Sequence, residues 1–87
     1  MQKPKQKPDF RLEMMDGEML LYHPAQTNIF YCNQTASLIW QLCSGEHTAK
    51  DMEKLLGDAF PEAADTIRAD IDETLKQFAE HGAIEFV

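Results

Sequence analysis

The hydrophobic period of this chain changes once, at Asn33. Upstream, apolar residues alternate in short runs. Downstream they recur at i, i+3, i+4 and i+7. A period of two lays side chains on the two faces of a strand, and a period near 3.6 lays them on one face of a helix. The chain therefore has to fold as strands first and helices afterwards. With 87 residues it is long enough for one domain and too short for two. These constraints predict an α+β domain of winged-helix-like type: a three-stranded antiparallel β-meander followed by three α-helices.

The strands are bounded by turn chemistry. Phe10, Leu12 and Met14 share one face of a run over residues 10–14, and residues 18–22 return after Asp16-Gly17. That dipeptide is a strong hairpin signal, because both central residues of a type I′ turn need positive φ. Residues 23–27, with Pro24, form a longer turn. Residues 28–32 are short and rich in β-formers, Ile29, Phe30 and Tyr31, and make the third strand.

The helices carry start and stop signals. Asn33 is a good N-cap, Ala36, Ile39, Trp40 and Cys43 form a core stripe that Leu38 and Leu42 widen, and Gly45 is placed as a left-handed C-cap. Thr48 opens the second helix with Asp51 close to a capping box, Met52, Leu55, Leu56, Ala59 and Phe60 fit its template, and Pro61 stops it. The third helix spans residues 64–80 with Ile67, Ile71, Leu75 and Phe78 as its stripe and Gly82 as C-cap. A short apolar tail closes the chain. Trp40 and Met14 are expected in the core. Residues 1–8, MQKPKQKP, hold nothing to bury and are expected to form a disordered basic arm ahead of a domain over residues 9–87.

Charge and motif content exclude several functions. The net charge is −7; outside residues 1–8, which contain Lys3, Lys5 and Lys7, five basic residues face 15 acidic ones, a net of −10. An acidic body repels phosphates, and the second and third helices carry too many carboxylates for a DNA-reading face, so a winged-helix nucleic-acid binder is the weaker alternative. The acid either keeps a small domain in solution or favours a neutral or basic peptide. No run approaches the ~20 apolar residues of a membrane span and no signal peptide is visible, which predicts a cytoplasmic protein. There is no phosphate loop, and His23, Cys32, Cys43 and His47 match no metal spacing, so no cofactor, no metal and no enzymatic activity are expected. Asp70, Asp72 and Glu73 could do acid–base chemistry but suit a solvated face better. Cys32 and Cys43, at opposite ends of one helix, lie roughly 16 Å apart at ~1.5 Å per residue. A disulfide needs about 7 Å, so both should be free thiols.

The segment NQTASLIWQLCSG at residues 33–45 resembles the signature of PqqD-like proteins, with an Asn before the first helix, a Thr-Ala pair, an Ile-Trp pair and a final Gly. Glu46-His47-Thr48 is similar to the family's connection into its second helix. Arg68 to Ile71, Leu75, Phe78, Gly82 and Ile84 are similar to its third helix and closing residues. The resemblance spans about residues 10–86. It implies a non-catalytic peptide chaperone or RiPP recognition element that binds the leader of a ribosomally made precursor peptide as an added strand. A partner enzyme, often a radical S-adenosylmethionine enzyme, then modifies the peptide, in pyrroloquinoline quinone synthesis or another pathway. The implied peptide-binding residues are Asn28, Ile29, Phe30 and Tyr31 on the third strand and Ile67, Arg68, Ile71 and Leu75 on the third helix.

A meander also leaves its last strand with unpaired amides, a template for another strand. Alternation requires one set, either Asn28, Phe30 and Cys32 or Ile29 and Tyr31, to bond the neighbouring strand, leaving the other free. A generic enzyme adaptor that binds no peptide remains the other alternative, and open edges make a homodimer possible.

Overall fold

The computed structural model describes residues 2–26 and 29–87. Five strands and three helices follow in the order β1 (Pro4–Gln6), β2 (Arg11–Met15), β3 (Glu18–Tyr22), β4 (Ile29–Cys32), α1 (Gln34–Leu42), α2 (Ala49–Ala59), α3 (Ala64–Glu80) and β5 (Ile84–Phe86). A single 3₁₀ turn, Pro61–Ala63, joins α2 to α3. Strands β2, β3 and β4 form the expected antiparallel meander, in that order. Asp16 and Gly17 both have positive φ, 52° and 80°, as the two-residue turn requires.

Cap chemistry fixes the helices. The Asn33 side chain accepts from the Ala36 amide at 2.8 Å. At the start of α2 the capping box is complete: the Asp51 amide donates to the Thr48 hydroxyl at 3.1 Å, and the Thr48 amide donates to the Asp51 carboxylate at 2.9 Å. That backbone donor holds the Asp51 carboxyl below its usual range. Phe60 is the C-cap of α2, immediately before Pro61. Gly45 is left-handed, with φ 84°, but is not the cap of α1. Helix α1 ends at Leu42, Cys43 caps it by donating to the Trp40 carbonyl, and Gly45 lies beyond, turning the chain against β1.

Within the segment that the composition suggests is a disordered arm, residues 4–6 form a strand. Strand β1 pairs antiparallel with β5, Pro4 opposite Phe86 and Gln6 opposite Ile84. On its other side the Gln6 amide donates to the Cys43 carbonyl and the Gly45 amide to the Pro4 carbonyl, each at 2.9 Å. The Gln6 side chain adds a 2.8 Å bond to the carbonyl of Trp40. Pro4 lacks a donor, and its ring is buried. The segment is therefore held by main-chain bonds on both sides, which its Lys/Pro composition does not reveal.

The core joins Leu21 and Cys32 of the sheet to Ile39 and Trp40 of α1, Met52 and Leu56 of α2, Ile67, Ile71, Leu75 and Phe78 of α3, and Ala83 and Ile84. Trp40 packs edge-on against Phe78, centroids 5.5 Å apart. Three positions that the apolar patterns assign to the core lie outside it, among them Ala59 of α2, which is exposed. Leu55 is 45 % exposed, and Met14 is 69 % exposed because β2, at the sheet edge, overhangs the layer of helices.

Cys32 and Cys43 are both free and buried. Burial pushes their thiols up to about 11 and about 12. In the folded protein both are therefore expected to resist iodoacetamide at pH ~8, because only the thiolate reacts. Both should be alkylated in denaturant, and mass spectrometry would count the adducts. The sign for stability follows. Because the folded state holds these protons longer than the unfolded chain does, their contribution is complete below the ordinary thiol range and is lost as pH rises from there through about 11 and about 12.

Candidate functional site: the free edge of β4 and the α3 groove

The register of the sheet decides which amides of β4 are free. In a two-residue hairpin the flanking pair is hydrogen-bonded, here Met15 with Glu18. Alternation then assigns Glu18, Leu20 and Tyr22 to bonds with β2, and Met19 and Leu21 to bonds with β4. Met19 is opposite Cys32 and Leu21 is opposite Phe30. Phe30 and Cys32 thus bond β3, whereas Ile29 and Tyr31 direct their N–H and C=O groups away from the sheet. Among the described residues no strand covers that side of β4.

The side chains follow the same alternation. Phe30 turns inward, with its ring 5.5 Å from Phe78 and 5.2 Å from His81. Cys32 is buried beside it, and Ile29 and Tyr31 stand exposed on the outer face. Asn28 lies outside the described residues.

Where β4 passes into α1, a groove of about 270 Å³ opens between this junction and α3. It is lined by Asn33, Thr35, Asp70, Glu73, Thr74 and Gln77. The four α3 residues recur at i, i+3, i+4 and i+7, one face of the helix. A second groove, of about 580 Å³ and lined by Glu18, Met19, Tyr31, Cys32 and Asn33 among others, shares Asn33 with the first. Glu18, Asp70 and Glu73 make the lining acidic, and it contains no Lys or Arg.

The helix residues expected to meet a peptide are placed otherwise. Ile67, Ile71 and Leu75 are buried in the core, at 2 %, 0 % and 6 % exposure. Arg68 lies on the opposite flank of α3, where its guanidinium reaches Asp72 at 3.1 Å and Glu53 of α2 at 3.4 Å. Asp72 and Glu53 raise its affinity for its proton. The residues that α3 presents to the groove at the β4–α1 junction are Asp70, Glu73, Thr74 and Gln77. Their spacing, a polar stripe next to the apolar one, was available in the sequence, but polar faces of helices are ordinarily plain solvent faces.

Asp70 and Glu73 share the groove while Asp72 pairs with Arg68, so the three carboxylates do not form one cluster. Among the described residues no group of three or more His, Cys, Asp or Glu side chains could hold a metal ion. No described helix is long and apolar enough to cross a membrane.

The domain is winged-helix-like, and its meander ends in a strand whose outer main-chain groups are unpaired among the described residues. Comparison with known proteins gives the lineage. Residues 18–84 match the family model of coenzyme PQQ synthesis protein D, and the chain belongs to this PqqD family. Among solved structures it is similar to TbiB1 in complex with the TbiA(beta) leader peptide. The TM-score is 0.73, with 18 % identity over 93 % of this chain and 94 % of that one. No curated protein matches the chain.

Proposed function

We propose that this protein is a peptide chaperone that captures the leader of a ribosomally made precursor peptide by strand addition at β4 and presents it to a modifying enzyme. The observation that carries this reading is the open edge of β4, with the outward amides of Ile29 and Tyr31, which leads through Tyr31 and Asn33 to the groove of α3. Membership of the PqqD family and likeness to a fold seen with a leader peptide bound both support it.

The partner is an enzyme of the radical S-adenosylmethionine type, acting in pyrroloquinoline quinone synthesis or on another peptide-derived product. The domain itself contributes binding rather than catalysis. Its free, buried thiols suit the reducing cytoplasm.

The geometry also describes the leader. Backbone bonds to Ile29 and Tyr31 give affinity that is independent of sequence, and alternate side chains give selectivity. Side chains on one face of the added strand extend the outer face beside Ile29 and Tyr31 and should be apolar. Those on the other face meet Asp70 and Glu73 and should include Lys or Arg.

The test is a fluorescence anisotropy titration with the leader of the precursor encoded beside this gene. Wild type should bind it. The Asp70→Lys/Glu73→Lys double variant should bind about tenfold more weakly at low salt, with the gap narrowing as salt screens the pairs. Equal affinities at low salt would remove the acidic groove from the site.

A further inference from the structure

The sheet has a second open edge, β2, and its chemistry is self-complementary. Arg11, Glu13 and Met15 bond β3, so Leu12 and Met14 direct their amide and carbonyl groups outward. Met14 is also the most exposed large apolar residue described, although it lies on the sheet face that carries Leu21 and Phe30. Among the described residues its outward amide and carbonyl are unpaired, and its side chain, opposite Met19, is mostly uncovered.

We propose that a second copy of this chain supplies that neighbour, with two β2 strands pairing antiparallel about a two-fold axis at Leu12. In this register Leu12 faces Leu12 of the partner subunit, Met14 faces the partner's Phe10, and Arg11 faces the partner's Glu13. The outward amides fit it: the two Leu12 residues exchange both bonds, and each Met14 amide reaches the opposite Phe10 carbonyl. The Phe10 amide is already bonded to the Lys7 carbonyl at 3.3 Å and is not required. The Arg11–Glu13 pairs fall at non-hydrogen-bonded positions, where cross-strand side chains lie closest.

Neighbouring registers fail. An axis at Glu13 would also use the outward groups of Leu12 and Met14, but it opposes two carboxylates at a non-hydrogen-bonded position, where cross-strand side chains lie closest. An axis at Met14 runs the strand into the Asp16 turn and forms no ion pair. The dimer is a continuous six-stranded sheet whose outer edges are the two β4 strands, so self-association at β2 leaves both β4 edges open and does not depend on peptide binding.

One short strand pair buries a small area, so the dimer should be weak, with Kd between about 10 µM and 1 mM. Sedimentation equilibrium of the full chain over that range is the test. Arg11→Glu and Glu13→Arg should each raise Kd at least about tenfold, because each turns two attractive pairs into repulsive ones. The double exchange Arg11→Glu/Glu13→Arg should restore the wild-type value. Met14→Pro, which removes an outward donor and an exposed side chain but no bond to β3, should also weaken the dimer while the far-UV spectrum stays native. A wild-type chain that is monomeric throughout, a dimer indifferent to all of these changes, or a double exchange that fails to rescue would overturn the proposal.

Discussion

Trp40→Ala is expected to leave the chain largely unfolded at physiological temperature. The indole is 4 % exposed and packs edge-on against Phe78, which is itself fully buried. Its backbone carbonyl also receives the Gln6 side chain and the Cys43 amide, so the residue lies where α1, the β1–β5 pair and α3 meet. Removing a large buried aromatic costs about 3–5 kcal/mol, and a domain of this size has roughly 3–5 kcal/mol in total. A melting curve followed by circular dichroism would measure the loss. Trp40→Phe retains an aromatic contact and should keep the fold at reduced stability. A Trp40→Ala protein that melts like wild type would show that the α1–α3 contact contributes little to the core.

The second large effect is a contrast between adjacent residues. Phe30→Pro should unfold the domain, because its amide bonds β3 opposite Leu21 and its ring packs on Phe78 and His81. Tyr31→Pro should leave it folded, because the amide it removes faces outward and the side chain it removes is 65 % exposed. The same variant should nevertheless bind leader peptide at least about tenfold more weakly, since a lost hydrogen bond that leaves its buried partner unsatisfied costs about 1–3 kcal/mol. A chemically synthesised chain with an N-methyl group on the Tyr31 amide keeps the phenol and should behave like Tyr31→Pro. If the N-methylated chain binds as wild type, the free edge is not where the peptide adds.

Much of this was legible in the sequence because the signals are local. The Asp16-Gly17 turn, the Asn33 cap, the Thr48–Asp51 box and the apolar stripe of α3 each follow from residues a few positions apart, and each stands where its chemistry predicts. The parts that were not legible depend on distant partners. Pro4–Gln6 becomes a strand only because residues 43–45 and 84–86 flank it, and nothing within MQKPKQKP encodes that. Met14 alternates correctly with Leu12 but extends past the helices, which only the placement of β2 at the edge determines.

The site divides in the same way. The third strand was visible as a β-rich run, and the parity of its amides was narrowed to two sets; the register then selected Ile29 and Tyr31. On α3 the apolar residues Ile67, Ile71 and Leu75 looked like the contact surface. A thin core needs every one of them, and the surface at the β4–α1 junction falls to the polar residues about a quarter-turn away.

The most direct measurement is a titration of the isotope-labelled protein with leader peptide, followed through backbone amide resonances. The largest shifts should fall on Ile29 and Tyr31, with a second group on Asn33, Asp70, Glu73, Thr74 and Gln77, and the Ile29 and Tyr31 amides should become protected from hydrogen exchange. Shifts concentrated instead on Leu12 and Met14 of β2, or on the Arg68–Asp72 flank of α3, with Ile29 and Tyr31 unprotected, would contradict strand addition at β4.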